Sequence, residues 1–189
     1  MSAPAPGRRR SVCVYCGSRP GADPAFTPLA QALGEGLARR GMRLVYGAGD
    51  LGLMGETARA ARAAGGDVLG VIPRGLFERE APDRRSPGVV VTENMHQRKA
   101  VMLANADAVA VLPGGIGTLD ELVEAATWRQ IGVHQTPIVL INAADYWTPL
   151  LALFDHMSAA GFLYEPIDAL LQIAGDANEA LDILERHLS

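Results

Sequence analysis

The sequence predicts an α/β protein, a doubly wound parallel sheet of about seven strands with helices on both faces. Three observations predict it. Short apolar, β-branched runs alternate with longer stretches whose apolar residues recur at helical spacing. The short runs are mostly continuous rather than alternating, which is the pattern of strands covered by helices on both sides. Aromatic residues make up only 5% of the chain while alanine is abundant, a mix suited to helices packed closely on a sheet.

Taken in order, the strand-like runs fall at residues 12–16, 43–46, 68–72, 89–92, 108–112, 138–141 and, with a fainter pattern, 170–173. Helical patterns occupy 24–40, 53–64, 95–106, 118–131, 147–160 and 177–188; Leu29, Leu33 and Leu37 mark the apolar stripe of the first. Such alternation is Rossmann-like, with right-handed crossovers expected. Residues 11–189 are expected to form one catalytic domain, a size that one core can serve. Residues 1–10 read as a flexible tail: three arginines and Pro4, Pro6 and Gly7, with no apolar stretch behind them to make a secretory signal. The charged, proline-bearing stretch 77–88 is expected to be a surface loop or lid.

Composition narrows the function. The net charge is −4 and no basic stripe recurs, so neither nucleic acid nor an anionic membrane surface is an expected partner. No apolar run reaches the ~18 residues of a membrane span. Cys13 and Cys16 have the C-x-x-C spacing of a redox pair, but they lie in a strand-like run, where residues three apart point to opposite faces. They are expected to be buried structural thiols in a cytoplasmic, reducing setting. The four histidines show no ligand spacing, and no metal is expected.

Ligands of such sheets sit at the carboxyl ends of the strands. Three of the segments that follow strands are glycine-rich turns, which suggests a phosphate-bearing ligand. Gly47-Ala48-Gly49-Asp50-Leu51-Gly52 fits G-x-G-x-x-G, but the next strand ends without the acidic residue of a dinucleotide site, so a tight turn with close ligand approach is the better reading. Pro113-Gly114-Gly115-Ile116-Gly117-Thr118-Leu119-Asp120-Glu121 carries the strongest signal. Its glycines let several backbone N–H groups face one point, and the helix start that follows adds unpaired donors and partial positive charge. Thr118 can cap that helix and also donate to a phosphate. Asp120 and Glu121 are either dipole partners of the helix start or, for Glu121, a group acting beyond the phosphate. No G-K-[ST] follows, which argues against a Walker loop. Arg98 and Lys99 open the preceding helix; they are either a solvated face or converge on the loop's ligand. Lys99 is the chain's only lysine. Glu80 reads equally as a ligand of ribose hydroxyls or as a lone surface acid.

Cys16-Gly17-Ser18, Gly47-Ala48-Gly49 with Gly52-Leu53-Met54-Gly55, Met95-His96-Gln97-Arg98-Lys99 and the 113–121 segment together resemble the LOG (Lonely Guy) family, cytokinin riboside 5′-monophosphate phosphoribohydrolases. Trp128, Gln130-Ile131-Gly132 and Gly161-Phe162 are similar to the family as well, so the resemblance runs over residues 11–188. It departs at Asp120, where glutamate is common, a change that matters little if the residue only caps the helix. The resemblance implies hydrolysis of the N-glycosidic bond of an N6-modified AMP, giving a free base and ribose 5-phosphate. It implies Arg98 and Glu121 as the catalytic pair. Glu80, Lys99, Gly114, Gly115, Ile116, Gly117, Thr118, Leu119, Asp120 and Thr127 would then bind the nucleoside 5′-monophosphate. No cofactor is implied. A homodimer is, with the site near the subunit interface; residues 147–163 could supply that surface or could equally be core.

Three other functions compete with this one. Some proteins with this pattern carry the label lysine decarboxylase, a chemistry that needs a lysine to hold pyridoxal phosphate. A hydrolase acting on plain AMP is the second. The third is a nucleotide carrier or sensor without turnover.

Overall fold

A computed structural model of the chain describes residues 9–76 and 88–189. Seven strands pair in one sheet, and every pairing is parallel. They are β1 (Ser11–Tyr15), β2 (Arg43–Tyr46), β3 (Val68–Pro73), β4 (Val89–Thr92), β5 (Ala108–Val111), β6 (Ile138–Ile141) and β7 (Gln172–Ala174). The helices are α1 (Phe26–Arg39), α2 (Gly52–Ala63), α3 (Met95–Ala104), α4 (Ile116–Gln130), α5 (Thr148–Ala159), the single turn α6 (Ile167–Leu170) and α7 (Ala177–Leu188).

The spatial order is β4-β3-β2-β1-β5-β6-β7. From β1 the chain builds outward to β4, returns to the other side of β1 and builds outward again. That reversal places a topological switch point between β1 and β5, where a crevice opens at the carboxyl ends. The two loops there are tied together: the Gly17 N–H donates to the Pro113 carbonyl at 3.0 Å.

Alternation along the strands divides the core in two. Val12, Val14, Ala108 and Ala110 face α1, α2 and α7 and pack with Leu33, Leu53 and Leu181. Cys13, Tyr15, Val109 and Val111 face the other way and pack with Met102, Leu122, Trp147 and Phe154. All residues of β1, β5 and β6 are buried, which is why their sequences run apolar without interruption. Cys13 and Cys16 sit in different cores as free, buried thiols, as strand geometry requires of residues three apart. Close packing of α1 on α2 depends on Gly34, where a Cβ would overlap the backbone of Thr57.

Most boundaries shift by a residue or two, and two of the shifts change a reading. Residues 167–170 close a helical turn, with the Leu171 N–H donating to the Ile167 carbonyl at 2.9 Å, so the last strand starts at Gln172 rather than at 170. Helix α4 starts at Ile116, two residues before Thr118, with Gly115 as its N-cap. Thr118 is therefore not the cap. Segment 77–87 of the expected lid, with Glu80, lies outside the described residues, as do residues 1–8 of the expected tail. Among the described residues no helix is long and apolar enough to cross a membrane.

Candidate active site

A cleft of about 940 Å³ lies at the switch point. The loops after β1, β2 and β5 wall it, with Phe26, Leu76 and Tyr146 beside them and Arg98 and Glu121 among its lining residues.

Arg98 is placed by α3, whose start is fixed by Asn94. The Asn94 side chain accepts the Gln97 N–H at 2.9 Å, and Arg98 follows within the same turn. Its guanidinium is held on several sides. Nε donates to the Val71 carbonyl at 3.1 Å, Nη2 donates to the Gly47 carbonyl at 3.3 Å, and Nη1 lies 3.4 Å from Glu121 Oε1. A Cβ at position 47 would overlap the guanidinium, so the first glycine of the 47–52 loop makes room for Arg98.

Glu121 is the sixth residue of α4 and is 9% exposed. Burial raises its pKa from the ordinary carboxylate range to about 7; the Arg98 charge pulls the other way, and Asp120 adds to the rise. A carboxyl that titrates near neutrality inside a cleft is suited to general acid–base work.

The neighbouring pair faces elsewhere. Lys99 is buried, and its Nζ lies 3.0 Å from Asp120 Oδ2 and 2.9 Å from Glu124 Oε2. Burial alone would lower its pKa, but the hydrogen bonds to Glu124 and Asp120 outweigh that and hold it above the ordinary lysine range. Three ion pairs thus clamp α3 to α4, that of Arg98 in the cleft and the two of Lys99 behind it. Asp120 is not a cap, because the helix starts four residues earlier and Asp120 is committed to Lys99.

In the glycine loop, a Cβ on Gly114 would collide with Thr118 and come within 2.9 Å of the Gly17 nitrogen. Packing therefore requires that glycine. At Gly115 and Gly117 an added Cβ would meet nothing within 4 Å. Both line the cleft, so their missing side chains leave cleft space open. Arg98, Gly114, Gly115, Ile116, Gly117, Thr118 and Glu121 are brought together in the cleft. Lys99, Leu119, Asp120 and Thr127 do not line it; Leu119 and Asp120 border a shallow depression on the outer side of α4, and Thr127 is exposed farther along. Phe26 and Tyr146 line the cleft without having been singled out from sequence. For Tyr146 the available signal was an Asn-x-x-Asp turn directly after a strand end. Of the stretch 147–163, Trp147 and Phe154 are core while Leu153 and Phe162 are exposed.

Residues 54–184 match the family model described as "Possible lysine decarboxylase". Over 181 residues, 96% of this chain and 75% of the other, the sequence is 40% identical to the cytokinin riboside 5′-monophosphate phosphoribohydrolase LOG of Oryza sativa subsp. japonica. The chain belongs to the LOG family. Identity is 41% over 180 residues with the LOG7 enzyme of Arabidopsis thaliana, covering 95% of this chain and 83% of that one. With the probable phosphoribohydrolase LOGL5 of Oryza sativa subsp. japonica it is 42% over 181 residues, or 96% and 74% of the two chains. Among solved structures, the molybdenum cofactor carrier protein of Chlamydomonas reinhardtii superposes with a TM-score of 0.72 at 22% identity, covering 96% of this chain and 99% of that one. The molybdenum cofactor binding protein of Rippkaea orientalis gives 0.71 at 20% identity, covering 97% and 99%. At those identities the likeness is one of fold.

The decarboxylase description meets a chemical obstacle in this LOG-family chain. Pyridoxal phosphate is held through a Schiff base to a lysine amine, which must first lose its proton. The single lysine is paired with two carboxylates, its proton is held more tightly than usual, and it does not line the cleft. The residues present do not fit that cofactor.

Proposed function

We propose that this LOG-family protein is a phosphoribohydrolase that cleaves the N-glycosidic bond of N6-modified AMP, releasing the free cytokinin base and ribose 5-phosphate. The observation that carries the proposal is the buried Glu121–Arg98 pair in the same cleft as the glycine loop. Relatives at 40% and 41% identity are named for that activity.

The 5′-phosphate sits against the 114–118 loop and the start of α4, where backbone N–H groups and the helix dipole favour an anion. Glu121 lies six positions beyond Gly115, about 9 Å along the helix at its usual rise. That spacing supports a carboxylate clear of the phosphate and close to the anomeric carbon. As the bond to the base breaks, positive charge builds on the ribosyl ring; the Glu121 carboxylate stabilises it and takes a proton from the attacking water. The base leaves with the electron pair of the broken bond and a proton from solvent. Arg98, always charged and tied to two carbonyls, is a poor proton donor; its bonds support a role in orienting Glu121 and stabilising the departing base. Gly114, Gly115, Ile116, Gly117 and Thr118 bind substrate, and Lys99 and Asp120 act by holding α3 against α4. Leu119 and Thr127 reach substrate in a homodimer that sets the outer face of α4 against a partner's cleft. Two free buried thiols support a cytoplasmic setting.

The test is to incubate the protein separately with AMP and with N6-isopentenyl-AMP and to quantify free base by chromatography. Isopentenyladenine is expected, and Glu121→Gln should abolish its release while nucleotide binding persists. Base from AMP at an equal rate would make the protein a general AMP hydrolase, and no base from either substrate would make it a nucleotide-binding protein.

A further inference from the structure

Tyr146 takes no part in the chemistry above, yet the fold goes to some length to place it. Its hydroxyl donates to the Gly114 carbonyl at 2.5 Å, reaching from the segment after β6 to the loop after β5. The ring is fixed edge-on against Phe26 (centroids 5.4 Å apart, planes at 83°) and Trp147 (4.8 Å, 84°). The backbone N–H of Trp147 donates in turn to Asn142 Oδ1 at 2.6 Å. The two residues before Tyr146, Ala144 and Asp145, both have left-handed backbone (φ 51° and 56°). Aspartate tolerates that region but alanine avoids it, and strain of that kind persists only where the surroundings over-determine it.

We propose that Tyr146 is a positioning residue that holds the Gly114–Gly115 peptide in the orientation that accepts a phosphate, a role that rests on the phosphate seat assigned above. A trans peptide is planar, with its C=O and N–H pointing opposite ways, so turning it over exchanges acceptor for donor. Between two glycines no Cβ resists that rotation. A carbonyl turned toward the anion would repel it, whereas an N–H attracts it. The Tyr146 hydroxyl engages the Gly114 carbonyl, and the Gly17 N–H engages the carbonyl of Pro113. Both acceptors at the loop's entrance are thereby committed to protein donors.

Tyr146→Phe removes the hydroxyl and keeps the ring. KM for the nucleotide should rise about tenfold, the scale of one hydrogen bond lost at an ion's seat, with kcat within about twofold. The inhibition constant of inorganic phosphate should rise by the same factor. Unchanged KM and phosphate inhibition, or a fall in kcat at constant KM, would overturn the role. Base release absent from the unsubstituted protein would count against the hydrolase reading alone. Calorimetric titration of ribose 5-phosphate into both proteins then still decides on Tyr146, with weaker binding to the variant supporting the role and equal binding overturning it.

Discussion

Glu121 and Lys99 bear directly on how the protein answers to pH. With the Glu121 carboxyl raised to about 7, mainly by burial, the ionised form required beside a ribosyl cation fills in only as pH rises through neutrality. kcat/KM should therefore climb through about pH 7. A profile whose acidic limb lies in the ordinary carboxylate range would show that another group controls the rate. Stability runs the other way. A folded pKa above the unfolded one means that the folded state keeps the proton longer; this stabilisation is complete below the ordinary carboxylate range and is lost as pH rises through about 7. The charges that act on Glu121 are those of Arg98 and Lys99 on α3 and of Asp120 and Glu124 on its own helix; Cys13 and Tyr15 of β1 and Cys16 just after it feel its charge in turn. Lys99→Met leaves Asp120 and Glu124 uncompensated beside Glu121, so the acidic limb should move to higher pH. An unmoved limb with a raised nucleotide KM would instead place Lys99 on the phosphate.

At the scale of elements, the site depends on how α3 and α4 begin. Helix α3 starts at a side-chain cap that sets the phase of Arg98 and Lys99, while α4 starts at a glycine with no side chain to offer, leaving its first N–H groups for a ligand. Asn94→Ala should cost about 1 kcal/mol in urea unfolding, the usual worth of such a cap. Activity should fall with it, since the fraying turn carries Arg98. Full activity at reduced stability would show that the Val71, Gly47 and Glu121 contacts hold the guanidinium without the cap. The helix boundaries were legible from apolar spacing because that periodicity is local. The start of α4 was not, because a glycine in extended backbone can cap a helix without any side-chain signature.

Across the whole molecule, one sheet with two separate cores explains the cysteines. Cys13 and Cys16 point into opposite cores, and burial, aided by the nearby Glu121 charge, raises both thiols well above their ordinary pKa. Cys13, fully buried in the sheet, should not react with a thiol reagent in the folded protein and should react in denaturant. Fast labelling of Cys13 under native conditions would mean that β1 opens locally.

Fold class and the glycine-rich turns at the strand ends were readable from the chain itself, while Arg98 and Glu121 were joined only through the family resemblance. Continuous apolar runs, helical spacing and glycine-rich turns are local consequences of burial and backbone geometry, and the motif order marks the family. What only the tertiary structure decided was which way each side chain is used. Lys99 stands next to Arg98 in sequence, but one residue is about 100° around a helix, so one enters the cleft and the other pairs behind it. Tyr146 reaches Gly114 from 32 residues away because parallel pairing of β5 and β6 brings their carboxyl ends together. No spacing within the sequence records that contact, since it follows from strand order.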